Sequence, residues 1–558
     1  MKTSNYIAQY LVDAGITEVF SVTGGAAMHL NDSFGKHPAL RVTYCAHENS
    51  CVTAAESYFR LTGKLACVVV TAGPGSLNCV TGIHGAFTDS MGVLVLSGQC
   101  DSRTINQDGR LRQLGDQSVD ICPIVQDITK YAEEVCEPLA IKAHLHNAIY
   151  LAKSRRPGPT WLSIPVDIQG AEIDPERLRP IVPPWEEKLP AVDYEGLVSR
   201  LSMAKRPVIL AGSGIRTAGA VEEFLALVDI LGIPVVTAFN AHDLLPSDHP
   251  CYVGRQGTIG DMAGNLAVQE SDLLLILGSR MNIRSIGFNF EAFAPKAYRV
   301  MVDVDRAELE KPFPRIDMGI HADLKAFLSG IFPRLAPPSP GYLCIDWVQR
   351  CLEWKRQYPV VKPEYHDTPR LNPYVFIEDL FDQLCEDDVI VTANGTACVA
   401  TFQAAHIKEG QRLYTNGGSA AMGWGLPAAI GASCGAYGRR IIVIEGDGSL
   451  MMSSQELTTI SYNKLPIKIF ILSNNGYSSI KQTQARAFPD SPTGFSPETG
   501  VGFPDLKSLA AAYGLPYGCV HKYQGFNLDS MIGPHLIEVV VDPNAVFAPR
   551  IRFPLEEA

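Results

Sequence analysis

Gly446-Asp447-Gly448-Ser449, followed by Ser473-Asn474-Asn475-Gly476, is the part of this sequence that decides its fold. An unbroken apolar, largely β-branched run precedes each quartet, and a segment with helical spacing lies between them, which predicts strand, turn, helix, strand and turn. Because parallel strands end at one edge of an open α/β sheet, we expect Asp447 and Asn474 to lie side by side. A carboxylate, an amide oxygen and the carbonyl of Gly476 are suitable Mg²⁺ ligands beside a diphosphate, which the flanking glycines allow the backbone to approach.

The alternative is that GDG is only a tight turn and SNNG only a β-turn, each of which is common alone. Their pairing at this spacing favours the metal site. The flanking pattern predicts a buried strand over 439–445, a helix over 453–463 and a second strand over 467–472.

The length of the chain and its proline-rich segments predict three domains. A chain of 558 residues is too long for one hydrophobic core. Proline-rich segments at 179–190 and 335–341 divide it into predicted domains 1–180, 190–335 and 360–558. Strand and helix patterns alternate in each, so the predicted fold class is α/β, with three doubly wound parallel-sheet domains.

Composition excludes several classes of protein. A net charge of −12 argues against a nucleic-acid partner held through phosphates. The 14 cysteines show no metal-like pairing, which fits reduced thiols and a cytoplasmic protein. Residues 1–16 are predicted to form an amphipathic helix and not a signal peptide, and no apolar run is long enough to span a membrane.

The GDG and NN spacing resembles the signature of the thiamine diphosphate (ThDP) enzymes. That resemblance implies a catalytic glutamate at the end of the second strand of the first domain, exchanging a proton with the cofactor's aminopyrimidine ring. His47-Glu48, followed by a small-residue helix and Thr62-Gly63-Lys64, matches the family's form, so Glu48 is the implied acid. Outside this framework, a lone glutamate at a strand end is more often a solvated cap.

The same resemblance orders the domains as pyrimidine-binding, central and diphosphate-binding. It implies a homodimer or a dimer of dimers, in which Glu48 and Asp447 from different chains serve one cofactor. Met422, in a glycine-rich segment, is the implied apolar residue that bends the cofactor; its alternative role is to fill a gap in the core. The implied cofactor contacts are Gly25, Pro74, Asn78, Asn394, Gly395, Thr396, Ala420, Met422, Gly446, Gly448, Ser449, Gly476 and Tyr477.

Within the family, residues 23–26, 71–83 and 87–99 resemble acetohydroxyacid synthases, and residues 111–121 resemble the YerE-type carboligases of unusual-sugar biosynthesis. The latter add a two-carbon unit from pyruvate to the keto group of a nucleotide-bound deoxysugar. Gln113 lines up with the family's active-site glutamine, and Gln117 is the competing choice.

The acceptor side departs from the acetohydroxyacid synthase pattern. Ser479 and Thr483 replace a Met and a Trp, which implies a wider and more polar pocket for a ketone or aldehyde acceptor. His84 is a further candidate for this pocket, although a lone histidine is more often structural.

The central domain resembles the FAD-binding segments of acetohydroxyacid synthases at 254–258, 278–284 and 302–305. Asn282 and Ile283 replace two acidic positions of that pattern. The implied flavin would be non-redox, because carboligation transfers no net electrons; the alternative is that the domain only packs the oligomer. The implied contacts are Gly212, Gly214, Gly278, Arg280, Asn282, Arg284, Asp303 and Asp305.

The sequence thus predicts an enzyme that decarboxylates pyruvate or a similar 2-keto acid and transfers the acyl-anion equivalent to a ketone or aldehyde acceptor. Three enzymatic alternatives stay open: an acetolactate synthase proper, a 2-keto-acid decarboxylase and a pyruvate-oxidase-like flavoenzyme. The chain lacks the paired histidines of pyruvate decarboxylases. A non-catalytic scaffold would require Glu48 or the GDG ligands to be broken, and they are intact.

Overall fold

Three six-stranded sheets, in which every neighbouring pair of strands is parallel, form the framework of the chain. The computed structural model describes residues 1–106, 109–182, 188–335, 344–522 and 525–551. The strand orders are β2-β1-β3-β4-β6-β5, β12-β11-β10-β7-β8-β9 and β14-β13-β15-β16-β18-β17. Their bounds are β1 Glu18–Ser21, β2 Arg41–Tyr44, β3 Cys67–Val70, β4 Val93–Gln99, β5 Tyr131–Glu134, β6 Pro159–Pro165, β7 Pro207–Ala211, β8 Val235–Thr237, β9 Tyr252–Arg255, β10 Leu273–Leu277, β11 Tyr298–Asp303, β12 Met318–His321, β13 Val389–Thr392, β14 Arg412–Tyr414, β15 Ile441–Gly446, β16 Ile467–Ser473, β17 Tyr517–Val520 and β18 His535–Val540.

Helices connect the strands, as parallel pairing requires. Those of the first domain are α1 Thr3–Asp13, α2 Met28–Lys36, α3 Glu48–Thr62, α4 Pro74–Leu77, α5 Val80–Thr88, α6 Ile121–Val125, α7 Ile141–Lys153 and α8 Val166–Gly170. The central domain has α9 Tyr194–Met203, α10 Gly214–Thr217, α11 Val221–Leu231, α12 Met262–Glu270, α13 Ile283–Ile286, α14 Arg306–Glu310 and α15 Leu324–Ile331. Then follow α16 Ile345–Gln357, α17 Pro363–His366, α18 Pro373–Gln383, α19 Thr396–Ala404, α20 Gly425–Gly435, α21 Asp447–Leu450, α22 Glu456–Tyr462, α23 Ser478–Ala487 and α24 Leu506–Ala512.

The predicted α/β architecture is therefore confirmed. The strands expected at 439–445 and 467–472 are β15 and β16, and they pair directly, from Ile441 with Ile467 to Gly446 with Leu472. The expected helix at 453–463 is α22, which is shorter at both ends. The domain boundaries stay predictions, and parts of both linkers, 183–187 and 336–343, lie outside the described residues.

One hydrophobic core joins the first and third domains. Its centre is the packing of α20 against α3, where a Cβ at Gly431 would lie 2.6 Å from the carbonyl carbon of Ala54. Only a glycine allows the two backbones to come so close. His47 caps the start of α3, accepting the Asn49 N–H at 3.1 Å, and Gly63 in the left-handed region ends the helix.

All fourteen cysteines are free thiols. Among the described residues, no helix has the length and apolar character needed to cross a membrane.

Candidate active site

The turn after β15 holds the Asp447 carboxylate rigidly. One carboxylate oxygen accepts the Gly448 N–H at 2.8 Å, and the other accepts the N–H groups of Asn474 and Asn475 at 3.0 and 2.7 Å. Burial raises the pKa of this carboxyl, while the donating amides act in the opposite direction. The sequence-predicted pair thus meets at neighbouring strand ends.

Asn474 supplies an oxygen that needs a partner. Its amide nitrogen donates to the Ser478 hydroxyl at 2.8 Å, whereas Oδ1 is buried and has no hydrogen-bond partner among the described residues. A buried oxygen left unpaired is costly, and a bound cation would satisfy it. The described residues contain no cluster of three His, Cys, Asp or Glu side chains for a metal. The donor set instead fits Mg²⁺, which takes few protein ligands and completes its shell with phosphate and water.

Gly448 makes room for an aromatic wall beside this turn. A Cβ there would lie 2.7 Å from Cδ1 of Tyr477, so no other residue fits without displacing the ring. Tyr477 packs edge-on against Phe503, with ring centroids 5.8 Å apart.

A cleft of about 1130 Å³ opens above the turn. Its lining contains most of the site residues predicted for the third domain. They are the loop 394–396, Met422, Gly446, Asp447, Gly448, Ser449, Asn474, Gly476, Tyr477, Ser479 and Thr483. Arginines from three segments also line it, of which Arg486 and Arg550 carried no sequence-based expectation. None of its described lining residues belongs to the first domain.

A buried ionic network fixes the loop that carries Met422, and sequence reasoning missed it. Asp89 accepts the N–H groups of Gly417 and Gly418 at 2.7 and 2.8 Å. Arg60, almost fully buried, bridges Asp89 at 2.6 Å and Glu56 at 2.5 Å. Glu56 in turn accepts hydrogen bonds from the side chains of Asn416 and Trp424 at 3.0 Å. In the sequence, Glu56 and Arg60 look like an ordinary i,i+4 surface pair.

Glu48 begins α3, directly after β2. The Asn78 amide donates to its Oε2 at 2.9 Å, and a Cβ at Gly75 would lie 3.5 Å from its Oε1. Glu456 of the third domain accepts the N–H of Ala46 at 3.1 Å and so holds the turn before Glu48. The predicted acid is thus oriented by its own domain, but it does not line its own chain's cleft.

The other predicted residues of the first domain lie apart from that cleft. Gln113 is exposed and donates to the Ser118 carbonyl at 3.4 Å, whereas the backbone of Gln117 packs on Gly73, next to Pro74. Gly25 begins a short 3₁₀ turn. His84 Nδ1 lies 3.1 Å from the hydroxyl of Ser419, in the loop before Met422. Ala420, in that same loop, accepts a hydrogen bond from the Asn394 side chain at 2.7 Å.

Three models of one protein family match successive segments of the chain. Residues 1–121 match the model of the N-terminal TPP binding domain of thiamine pyrophosphate enzymes, residues 194–331 the central domain, and residues 393–532 the C-terminal TPP binding domain. The chain belongs to the thiamine pyrophosphate enzyme family.

Its relatives place it in the acetolactate synthase-like branch of that family. It is 32% identical to the acetolactate synthase large subunit of Lactococcus lactis, over 98% of this chain and 94% of that protein. It is 31% identical to the chloroplastic acetolactate synthase 2 of Nicotiana tabacum, over 97% and 82%. It is 30% identical to the acetolactate synthase isozyme 2 large subunit of Escherichia coli, over 97% and 96%.

A second, smaller cavity, of about 140 Å³, lies between the central domain and the first domain of this chain. Gly214, Gly278, Arg280, Asn282 and Asp303 line it, as predicted, and Arg280 and Asn282 also line the large cleft. Burial raises the pKa of Asp303 to about 6. This donor set suits a nucleotide, but the cavity is smaller than the roughly 300–1,000 Å³ usual for ligand sites. A dinucleotide therefore fits only if it extends across both spaces.

Several of the predicted flavin residues already have structural roles. The Gly212 N–H donates to the Leu277 carbonyl at 2.9 Å, and Asn282 caps α13 by accepting the Ser285 N–H at 3.2 Å. Asp305 pairs with Arg156 of the first domain at 2.7 Å. The guanidinium of Arg284 lies 5.5 Å from the centre of the Phe239 ring, at the edge of the large cleft.

Proposed function

We propose that this protein decarboxylates pyruvate, or a similar 2-keto acid, and joins the resulting two-carbon unit to a ketone or aldehyde acceptor. The observation that carries the proposal is the Asp447–Asn474 site, with its unpaired buried amide oxygen, at the floor of a cleft that also contains Met422. Family membership and the acetolactate synthase relatives support the same reaction class.

In this proposal Asp447, Asn474 and the carbonyl of Gly476 hold Mg²⁺, and the loop 394–396 with Ser449 contacts the diphosphate. When bound, thiamine diphosphate supplies the electron sink for loss of CO₂. Glu48, held by Asn78, would be the residue that exchanges a proton with the aminopyrimidine ring. Met422 would contact the cofactor, and the Asp89–Arg60–Glu56 network keeps its loop in place.

We further propose that the working site lies between two subunits. The support is that Glu48 does not line the cleft of its own chain, whereas Glu48 and the metal-turn residues are both needed at one cofactor. Each cleft then receives Glu48 from a partner copy, in a homodimer or a dimer of dimers, together with Gly25, Pro74, Asn78 and Gln113. A cytoplasmic location also stays a prediction, which the free thiols support.

For the central domain we propose a non-redox FAD that extends from the small cavity into the large cleft. Arg280, Asn282, Arg284 and Asp303 would contact it. The absorbance spectrum of the purified protein tests this directly: a flavin band released on denaturation is expected, and a colourless protein that also fails to bind added FAD contradicts it.

On the acceptor side, Ser479 and Thr483 line the cleft, so we propose that they bound the acceptor. His84 is engaged with Ser419 and stays a weaker candidate. These small polar side chains leave room for a ketone or aldehyde larger than pyruvate.

The decisive experiment supplies the protein with Mg²⁺, ThDP, ¹³C-labelled pyruvate and a panel of ketones and aldehydes, with products identified by mass. We expect labelled hydroxyketone adducts that depend on the acceptor. Oxygen consumption would indicate an oxidase, free acetaldehyde alone a simple decarboxylase, and acetolactate alone a synthase proper. No loss of pyruvate under any condition would refute the proposal.

A further inference from the structure

The described residues that line the active-site cleft carry more positive than negative charge, in a chain that is negatively charged overall. The net charge of the chain is −12, yet the described residues that line the cleft include four arginines and a single carboxylate, Asp447. Arg280 is partly compensated by Asp89, 3.9 Å away. Arg284 and Arg486 form no ion pair with any described residue. Since arginine stays charged in proteins, Arg284 and Arg486 invite an anion.

Helix α23 places Arg486 far from the metal turn. Ser479, Thr483 and Arg486 follow one another at i, i+4 and i+7, so they lie on one helix face, and all three line the cleft. Seven residues of α-helix span about 10 Å, so Arg486 lies about that far beyond Ser479 along the helix axis. The metal turn is at the opposite end of α23, which makes the cofactor's diphosphate a poor partner for Arg486.

A second arginine comes from another segment of the chain. Arg550, half-buried, donates to Gln482 of α23, and its guanidinium lies 5.7 Å from the centre of the Phe547 ring. Gln482 Oε1 also accepts the Phe547 N–H at 3.4 Å, so residues near the C-terminus are attached to α23. Two segments distant in sequence thus present arginines to the same cleft.

The simplest alternative concerns the helix itself. Arg486 occupies the last turn of α23, where a cation interacts favourably with the helix dipole. That explanation does not account for Arg550, which belongs to no helix, nor for their shared cleft. A lysine at position 486 would satisfy the dipole equally well but lacks the planar fork that binds oxyanions.

We propose that Arg486 and Arg550 determine acceptor specificity by binding an oxyanion, phosphoryl or carboxylate, carried several bonds from the reacting carbonyl. This inference rests on the proposed carboligase function and identifies its acceptor class. Ser479 and Thr483 then bound the carbonyl end of the acceptor, and the arginines hold its charged end.

The test compares acceptors that differ only in the remote charge. The phosphoryl pair is ribulose 5-phosphate and ribulose; the carboxylate pair is 4-oxopentanoate and its methyl ester. If the oxyanion bound is a phosphoryl group, ribulose 5-phosphate should have a KM about tenfold or more below that of ribulose. If it is a carboxylate, 4-oxopentanoate should have the same advantage over its methyl ester. Arg486→Gln and Arg550→Gln should each reduce that ratio towards one, with Arg486→Lys intermediate. Arg356→Gln, at an exposed last-turn position of α16 outside the cleft, is the matched control.

Two further readouts separate this inference from the proposed function. Pyruvate consumption by the wild-type protein without an added acceptor tests the donor reaction, and hence the proposed function, by itself. Calorimetric titration of the Mg²⁺–ThDP-loaded protein with ribulose 5-phosphate or 4-oxopentanoate needs no turnover, and binding lost in Arg486→Gln supports the oxyanion site. If pyruvate is not consumed, the proposed function fails, while the titration still decides the site. Equal KM values within both pairs and equal binding by wild type and Arg486→Gln would overturn the inference.

Discussion

Replacing Gly431 by alanine tests the packing of α20 on α3, which joins the diphosphate-binding and pyrimidine-binding domains. Two effects oppose each other. Alanine is the better helix former by about 1 kcal/mol. The new Cβ, however, would lie 2.6 Å from the carbonyl carbon and 2.8 Å from the Cα of Ala54, and closer still to its carbonyl oxygen.

The clash should win because the atoms it meets are backbone, which cannot rotate away. The helices must move apart, and a gap of 0.5–1 Å already forfeits about a quarter to a half of each van der Waals contact along the interface. Overpacking of this kind costs about 1–3 kcal/mol or more. After subtracting the gain in helix propensity, we expect Gly431→Ala to destabilise the shared core by up to about 2 kcal/mol.

Gly35→Ala is the matched control. Gly35 also lies within a helix, α2, but a Cβ there would meet only the Tyr44 hydroxyl at 3.4 Å. This variant should be neutral or more stable by up to about 1 kcal/mol. The assay is urea unfolding of the cofactor-free protein, followed by far-UV circular dichroism. If Gly431→Ala unfolds at the same or a higher urea concentration than Gly35→Ala, the inferred close packing is wrong.

Three other predictions follow from the site. Co-expressed Glu48→Gln and Asp447→Ala chains, each inactive alone, should recover about a quarter of wild-type activity. Half of the dimers pair one chain of each kind, and one of the two sites in such a dimer is intact. No recovery would indicate a site within one chain. Gly448→Ala should weaken Mg²⁺–ThDP binding about tenfold or more, since its Cβ would lie 2.7 Å from Cδ1 of Tyr477; an unchanged fluorescence titration would contradict this. Burial raises the folded-state pKa of Asp303 to about 6 from 3.8, so the folded protein binds more protons than the unfolded chain in this window and loses stability as pH rises through it. Asp303→Asn should therefore gain stability over wild type between pH 4 and pH 7, which urea midpoints at several pH values would check.

The parts of this site that depend on residues close together in the chain were predictable, because those residue types and the strands before them are recognisable in the sequence. Asp447 and Asn474 follow two apolar strands, and parallel pairing alone brings them together. Their positions did not depend on the rest of the fold. Met422 and the 394–396 loop, which a family resemblance singled out, also line the cleft, and their contacts with the cofactor stay predictions.

What sequence reasoning missed depends on contacts between domains. Glu56 and Arg60 are four residues apart on α3 and have the spacing of a solvent-exposed pair. Their burial follows from the packing of α20, and their third partner, Asp89, comes from beyond the next strand, β3. Nothing local distinguishes such a network from a surface salt bridge. The order of strands in each sheet is hidden for the same reason.

The distribution of charge along the cleft indicates the orientation in which the acceptor would bind. The metal turn, with Asp447 and the site proposed for Mg²⁺, lies at the N-terminal end of α23, and Arg486 lies at its C-terminal end. A neutral acceptor would gain nothing from this arrangement and would leave Arg486 without a partner. An acceptor with a remote oxyanion would be held at two points, its carbonyl near the metal turn and its charge near the arginines. Binding at two points fixes orientation, and it fills the cleft and displaces water that would otherwise quench the acyl-anion equivalent before it reacts. The same arginines that select the acceptor would therefore also favour carboligation over aldehyde release.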